Sequence, residues 1–273
     1  QQFSKDLGEG HIVPVFIGSA ENDSGIRRLL KALRHEAPSS DETAARLGVE
    51  GDGEAVAQVF KTMHATHSGK LSLVRLWRGE MKEGDSLGGK RIGGMATLLG
   101  NNQKKVASAG LGDVVALGRM EEVNTGDVLT PSGNAADGMV AWPAPKSPVY
   151  SMAIHAENRA DEVKLTTGLQ RLNEEDPSLT YLQDDDTHQL VLWGQGEIHL
   201  RISLEKLKNK YNVGAVGERP RVPYKETIRK PVSQHARFKR QTGGHGMFGD
   251  VHVDIKPMPR GNGFEFADKI VGG

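Results

Sequence analysis

The sequence predicts a multidomain chain: a small closed β-barrel followed by a split βαβ α+β domain, with partial α/β and α+β units at the two ends. Three observations carry this. Residues Val149 to Val222 order themselves as strand, helix, strand, strand, helix, which is the split βαβ arrangement. Before them, short β-type runs are separated by Gly-Asp turns, the pattern of a small closed barrel rather than of a parallel sheet. At 273 residues the chain holds two domains comfortably and parts of four, since domains usually run to about 100–150 residues.

The first element is the apolar run Val13 to Ile17, which ends in Gly18-Ser19-Ala20. Ile26, Leu29, Leu30 and Leu33 then carry a helical period up to Pro38. Strand, polar turn and helix form an α/β unit, and one such unit cannot bury both faces of its strand, so it reads as the end of a domain. Ser39 to Gly53 is small, polar and acidic apart from Leu47 and Val49 and is expected to be a linker. Val56 and Phe60 alternate with polar or small residues from Ala55 to Thr62, and Leu71, Leu73, Leu76 and Trp77 mark a second strand after Ser68-Gly69. Breaks at Arg78-Gly79, Glu83-Gly84-Asp85, Gly93-Gly94, Ala109-Gly110, Leu111-Gly112-Asp113 and Thr125-Gly126-Asp127 cut the rest into short strands. Asn134 to Pro148, with three prolines, is the expected connector.

Val149 to Val222 is the organising stretch. Val149, Ser151, Ala153 and His155 alternate with Tyr150, Met152 and Ile154, a strand of period two. From Asp161, Leu165, Leu169 and Leu172 recur three and four apart and line one helix face until Asp176-Pro177 removes a donor. Leu179 with Tyr181, and Leu190 with Leu192, predict two short strands around the acidic turn Asp184 to His188. After Gly194-Gln195-Gly196, a second helix carries a broad apolar face of Ile198, Ile202, Leu200, Leu204, Leu207 and Tyr211, and Asn212 to Ala215 is the expected last strand. Beyond Pro223, alternation at Ile228 to Phe238 and again at Val251 to Ile255 predicts two strands flanking a glycine-rich loop, Thr242 to Gly249. Phe264 and Phe266 predict another extended stretch.

The formal charge of zero hides a local imbalance. Between Glu218 and Arg240, eight cations (Arg219, Arg221, Lys225, Arg229, Lys230, Arg237, Lys239 and Arg240) face only Glu218 and Glu226, so this segment suits phosphates. The chain has no cysteine, which excludes disulfides, thiol nucleophiles and thiolate metal sites and suits a reducing compartment. No apolar run approaches the roughly 20 residues needed to span a membrane, and Gln1-Gln2-Phe3-Ser4 has no signal-peptide layout.

The chemistry-bearing motifs are few. No glycine loop is followed by the Lys-Ser/Thr pair of a phosphate-binding P-loop; Gly243-Gly244-His245-Gly246 has the flexibility but sits between strands. His64 and His67 are three apart, but their surroundings read as strand and turn and favour surface histidines over a metal site. Glu174-Glu175-Asp176 reads as a solvated helix end, or as an acidic dock for a basic partner. No acid/base pair and no catalytic residue emerge. The combination of Gly243-Gly244 with Arg237, Lys239, Arg240 and His245 suits a loop that enters a groove while cations meet a phosphate backbone; a solvated hairpin tip is the other reading. Met247 and Phe248 could stack on a base or close the hairpin core.

These residues resemble the middle of bacterial elongation factor G, and more closely an elongation factor G-like paralogue. The resemblance rests on LQRLNEEDP (Leu169 to Pro177), GQGEIHLRISLEKLKNKY (Gly194 to Tyr211) and QTGGHGMFGDVHVDIKPMPRGNGFEFADKIVGG (Gln241 to Gly273). GKLSLVRLWRGEMKEGDSL (Gly69 to Leu87) and GLGDVVALGRMEEVNTGDVL (Gly110 to Leu129) resemble the family's second domain, a translation-factor β-barrel. The resemblance implies a C-terminal remnant of the GTPase domain at residues 1–40, the barrel domain at 41–144, a ferredoxin-like domain three at 145–222 and the first part of domain four at 223–273. Ser19 and Ala20 would lie in the last GTP-binding motif, whose backbone helps surround the guanine base. The P-loop, both switches and the Asn-Lys-x-Asp motif have no counterpart here, so GTP and magnesium are expected only in a complete parent, and no cofactor or GTPase activity in these residues alone.

By the same resemblance, Arg237, Lys239, Arg240 and the tip loop Thr242, Gly243, Gly244, His245, Gly246, Met247 and Phe248 would meet ribosomal RNA and the tRNA–mRNA region. His245 and Met247 replace the arginine and glutamine common at those positions, which puts ribosome binding ahead of translocation itself. The implied protein is a cytoplasmic, monomeric, ribosome-associated GTPase that does not engage membranes and drives translocation. The alternatives are ribosome recycling, a nucleotide-independent RNA or ribosome-binding module, or a scaffold that binds proteins through its charged surfaces.

Overall fold

The computed structural model describes residues 2–49, 51–65, 68–100, 102–133 and 139–269, with the backbone alone for Gln2, Ser4, Thr242 and His245. The chain divides into two compact units, Gln1–Arg221 and Val222–Gly273. No helix among the described residues is long and apolar enough to cross a membrane.

Helices α1 (Gln2–Gly8) and α2 (Ile26–Glu36) open the first unit. The strand expected at Val13 to Ile17 does not form: the run has no hydrogen-bonded neighbour among the described residues, and Ile17 is 92% exposed. Extended backbone becomes a strand only when a second strand takes its N–H and C=O groups. Helix α2 falls where its period predicts but buries none of its leucines.

The linker expected over Ser39 to Gly53 is instead partly helical, α3 spanning Ser40–Arg46. A capping box starts it: Glu42 N–H donates to Ser39 Oγ (3.2 Å) and Ser39 N–H to Glu42 Oε2 (2.8 Å), which satisfies two donors at the helix start. Ala44 and Val49 then pack with Val56 and Trp77 in a small apolar cluster.

Ten strands follow, β1 (Val56–Ala65), β2 (Gly69–Arg78), β3 (Met81–Lys82), β4 (Ser86–Leu87), β5 (Lys90–Arg91), β6 (Met95–Leu99), β7 (Asn102–Lys105), β8 (Ser108–Ala109), β9 (Val114–Gly118) and β10 (Val128–Leu129). Six form one sheet in the order β10-β1-β2-β9-β6-β7, and β3 pairs with β8 and β4 with β5. Side chains of these strands, among them Val59, Val74, Leu76, Met81 and Leu117, meet in one core with Ile92 and Met120 from the connections between strands. Gly79, one of the predicted breaks, turns the chain at φ 75°, and a Cβ there would lie 2.9 Å from Ala55 Cα. The break therefore requires glycine twice over, by conformation and by space.

The next segment runs β11 (Tyr150–Ala156), a 3-10 turn (Arg159–Asp161), α4 (Glu162–Glu175), β12 (Thr180–Gln183), β13 (Leu190–Gly194), α5 (Glu197–Tyr211) and β14 (Ala215–Glu218). Its four strands lie in the order β12-β13-β11-β14, every neighbouring pair antiparallel. Leu165, Leu169 and Leu172 of α4 and Leu200 and Leu207 of α5 pack with Ile154, Leu179 and Leu192. Two expectations need correction. The apolar face of α5 is narrower than predicted, since Ile198 (72% exposed) and Ile202 point outward. The last strand starts at Ala215, because Asn212 adopts φ 53° as the left-handed cap of α5 and its N–H, like that of Val213, returns to Leu207 O, consuming Asn212 to Gly214 in the helix stop.

The second unit is built on one antiparallel hairpin, β15 (Val232–Thr242) and β16 (His245–Ile255), in register from Val232↔Ile255 to Thr242↔His245. The turn is Gly243-Gly244 alone. The long loop expected from Thr242 to Gly249 is thus a correction: Gly246, Met247, Phe248 and Gly249 are ladder residues. Phe264 and Phe266 lie outside any strand and are exposed.

Candidate nucleic-acid interface

A strand's side chains alternate between faces, and directly opposed residues share one. The register therefore sorts the hairpin into two sides. Val232, Ala236, Phe238, Met247, Val251, Val253 and Ile255 share one face with Arg240; Ser233, His235, Arg237, Lys239, Phe248, Asp250, His252 and Asp254 share the other. The cations and aromatic residue that sequence placed in one contact set are split accordingly. Arg237, Lys239 and Phe248 stand together; Arg240 and Met247 (67% exposed) stand behind them.

On the polar face, Arg237 Nε lies 3.5 Å from Asp250 Oδ2, and its guanidinium sits 5.2 Å from the centre of the Phe248 ring. Arg237 is six residues before Gly243, which at about 3.3 Å per residue sets it roughly 20 Å back from the turn. Lys239 is nearer and has no ion-pair partner among the described residues. Phe248 is 62% exposed, so its ring presents one face to Arg237 and does not close a core. The arrangement offers a flat aromatic surface and two cations, with Asp250 holding one cation in place.

Ser19 and Ala20 lie far away in sequence, in a tight bend before α2. Ser19 and Ser24 exchange backbone hydrogen bonds at 2.9 and 3.0 Å, and Asn22 Nδ2 donates to Ser19 Oγ (3.1 Å). The Ala20 N–H makes no backbone hydrogen bond among the described residues.

A third cluster departs from its sequence reading. Glu174 and Glu175 do not end a solvated helix; they clasp the β1–β2 hairpin. His64 Nε2 lies 2.8 Å from Glu174 Oε2, Lys70 Nζ 3.2 Å from the same oxygen, and His64 N–H donates to Glu175 Oε1 at 2.6 Å. Lys210 also pairs with Glu175. Burial raises the Glu174 pKa, but the hydrogen bonds from His64 and Lys70 outweigh it and hold the carboxyl below its ordinary value. Asp176 behaves alike: burial is outweighed by Ser178, whose N–H and Oγ both donate to it, and by His199. Gln195 N–H donates to His199 Nδ1 (3.1 Å), which leaves His199 Nε2 to donate to Asp176 Oδ2 (3.0 Å). His64 is accordingly an anchor rather than a surface residue, and His67 lies outside the described residues. Beside the clasp is a cleft of about 550 Å³ whose walls include Lys70, Arg171, Lys210 and Tyr211; burial and the Glu175 charge drive the Tyr211 phenol well above its ordinary range.

Comparison with known proteins gives these parts a common frame. Residues 54–132 match the model for elongation factor G domain 2, residues 145–218 that for elongation factor G, domain III, and residues 220–273 that for elongation factor G, domain IV. Three consecutive domains in this order define the chain as part of a multidomain translation factor. An elongation factor G-like protein of Synechocystis sp. is 50% identical over 99% of the chain, and one of Mycobacterium tuberculosis 33% identical over 100%. The chain belongs to the elongation factor G family. It spans 40% and 43% of the length of those two relatives. A crystal structure from Thermus thermophilus superimposes with a TM-score of 0.76 at 34% identity, over 93% of this chain and 38% of that one.

Proposed function

We propose that this chain is the central part of a ribosome-associated translational GTPase whose complete form couples GTP hydrolysis to tRNA–mRNA movement. The observation that carries the reading is the uninterrupted order of the domain matches at 54–132, 145–218 and 220–273. The architecture supports it. The ten strands of residues 56–129 around one core are read as a translation-factor β-barrel within a domain at 41–144. The sheet order β12-β13-β11-β14 with two helices is read as a ferredoxin-like domain three at 145–222.

Residues 1–40 are then the end of a GTPase domain, and 223–273 the beginning of domain four. GTP and magnesium belong to the complete protein, since this chain has no Lys-Ser/Thr phosphate loop. Its contribution to the nucleotide is the Ser19–Ala20 bend, where the Ala20 N–H suits a carbonyl of the guanine base. These residues alone are inactive in GTP hydrolysis. The hairpin meets ribosomal RNA and the tRNA–mRNA region through Arg237, Lys239 and Phe248, with the Gly243-Gly244 turn as the narrow leading end. The protein acts as a monomer in the cytoplasm.

The test is ribosome-stimulated GTP turnover and tRNA–mRNA movement measured on the full-length protein. GTP turnover should rise above its ribosome-free level, and tRNA–mRNA movement above that of ribosomes without the protein. Ribosome binding without either would reject the translocase reading, and subunit splitting in the presence of recycling factors would replace it with a recycling role.

A further inference from the structure

We propose that His235, Asp250 and His252 form a binding site for a divalent transition metal of the zinc type on the polar face of the β15–β16 hairpin. The backbone assembles the site before any metal arrives. His235 and His252 are directly opposed across the ladder, and Asp250 precedes His252 by two residues on the same face. One ligand atom from each of the three lies within 4.8 Å of the others. The two imidazole rings stack with centroids 4.0 Å apart and planes 4° from parallel, and His235 Nε2 is 2.5 Å from Asp250 Oδ1. Rotation of the rings about their terminal torsions, which are broad and soft, brings the nitrogens to the roughly 2.0–2.2 Å bonding distance of such an ion.

The donor set selects the ligand class. Two imidazoles and one carboxylate suit zinc and its neighbours, whereas magnesium and calcium demand oxygen-rich shells. All three side chains are exposed, so water can complete the coordination. The carboxylate is also braced from outside, because Arg237 Nε holds Asp250 Oδ2 at 3.5 Å and leaves Oδ1 toward the histidines. An outer partner of this kind orients a metal ligand. A bound ion would add a metal bridge to the side-chain contacts that already join β15 to β16, and would tie the position of Arg237 to metal occupancy. Asp6, Glu9 and His11 form another cluster of possible ligands, but with one imidazole it is the weaker donor set.

Zinc is the probe, added to the full-length protein labelled with nitrogen-15 in its histidines. The ring signals of His235 and His252 should shift together, saturating at one equivalent, while that of exposed His188 stays put. Equilibrium dialysis should then show His235→Asn and His252→Asn each weakening this class of zinc binding at least about tenfold, with His188→Asn unchanged. Signals of His235 and His252 that stay unmoved by zinc, or that move only in step with every other histidine, would overturn the site. The wild-type spectrum decides this even if a variant hairpin fails to form.

Discussion

Lys70 Nζ, on a side chain only 1% exposed, lies 3.2 Å from Glu174 Oε2, so a buried ammonium in the β1–β2 hairpin depends on a carboxylate at the end of α4. The Lys70 ammonium also donates to Glu121 O at 2.6 Å, but a carbonyl does not neutralise its charge. Removing one partner of a buried pair leaves the other charge stranded, at a cost of about 3 kcal/mol. Glu174→Ala should therefore lower the urea midpoint of unfolding substantially. The double variant Lys70→Met with Glu174→Leu should recover most of the loss, because an apolar pair carries no desolvation penalty. A double variant as unstable as Glu174→Ala would mean that the clasp acts through something other than buried charge.

The carboxyls at and just beyond the end of α4 predict an acid limit. Glu174 and Asp176 are both held below their ordinary values of 4.5 and 3.8. A carboxyl whose folded pKa is depressed contributes stability that is fully present above its unfolded pKa and is lost as pH falls through the folded one. Urea midpoints measured between about pH 6 and pH 3 should hold near the upper end and fall below about pH 4.5. Glu174→Gln and Asp176→Asn should start lower and fall less steeply. Parallel acid limbs for all three proteins would remove these carboxyls from the explanation.

Much of this molecule is legible in its sequence, and the illegible parts share a cause. Leu165, Leu169 and Leu172 declare α4 because the information lies within two helical turns. Glu174 and Glu175, which follow directly, read as solvated because their partners His64 and Lys70 stand more than a hundred residues earlier, and local periodicity says nothing of such pairings. Helix α3 is hidden for another reason. Its signal is the Ser39 and Glu42 capping box, which composition buries among small polar residues. On the hairpin, Gly246 and Gly249 look like loop glycines, yet only Gly243 and Gly244 adopt positive φ there. The division of Arg237, Lys239 and Phe248 from Arg240 and Met247 follows once the turn is known to be two residues long.

That division makes unequal cations. Asp250 already offsets part of the Arg237 charge, whereas Lys239 has no ion-pair partner among the described residues. Each phosphate contact contributes roughly 0.7–0.9 to the slope of log affinity against log salt. Lys239→Ala should reduce the salt slope of ribosome binding by about that amount, and Arg237→Ala by less. An unchanged slope for Lys239→Ala would sink the phosphate contact, and equal losses would sink the role given to Asp250.

The turn gives the last test. Gly243 and Gly244 have φ of 47° and 107°, and a Cβ at either would meet nothing within 4 Å. Substitution there is thus a question of backbone alone. Positive φ at both central residues is the geometry of a two-residue turn that matches the twist of its strands. Asparagine tolerates the value at Gly243 but no side chain is at ease at that of Gly244. Gly243→Asn should leave amide exchange in β15 and β16 within about twofold of the parent. Gly244→Val should cost about 1–2 kcal/mol, which speeds exchange roughly 5- to 30-fold if the hairpin opens as one unit. Equal exchange in the two variants would show that the ladder, not the turn, holds this hairpin in register.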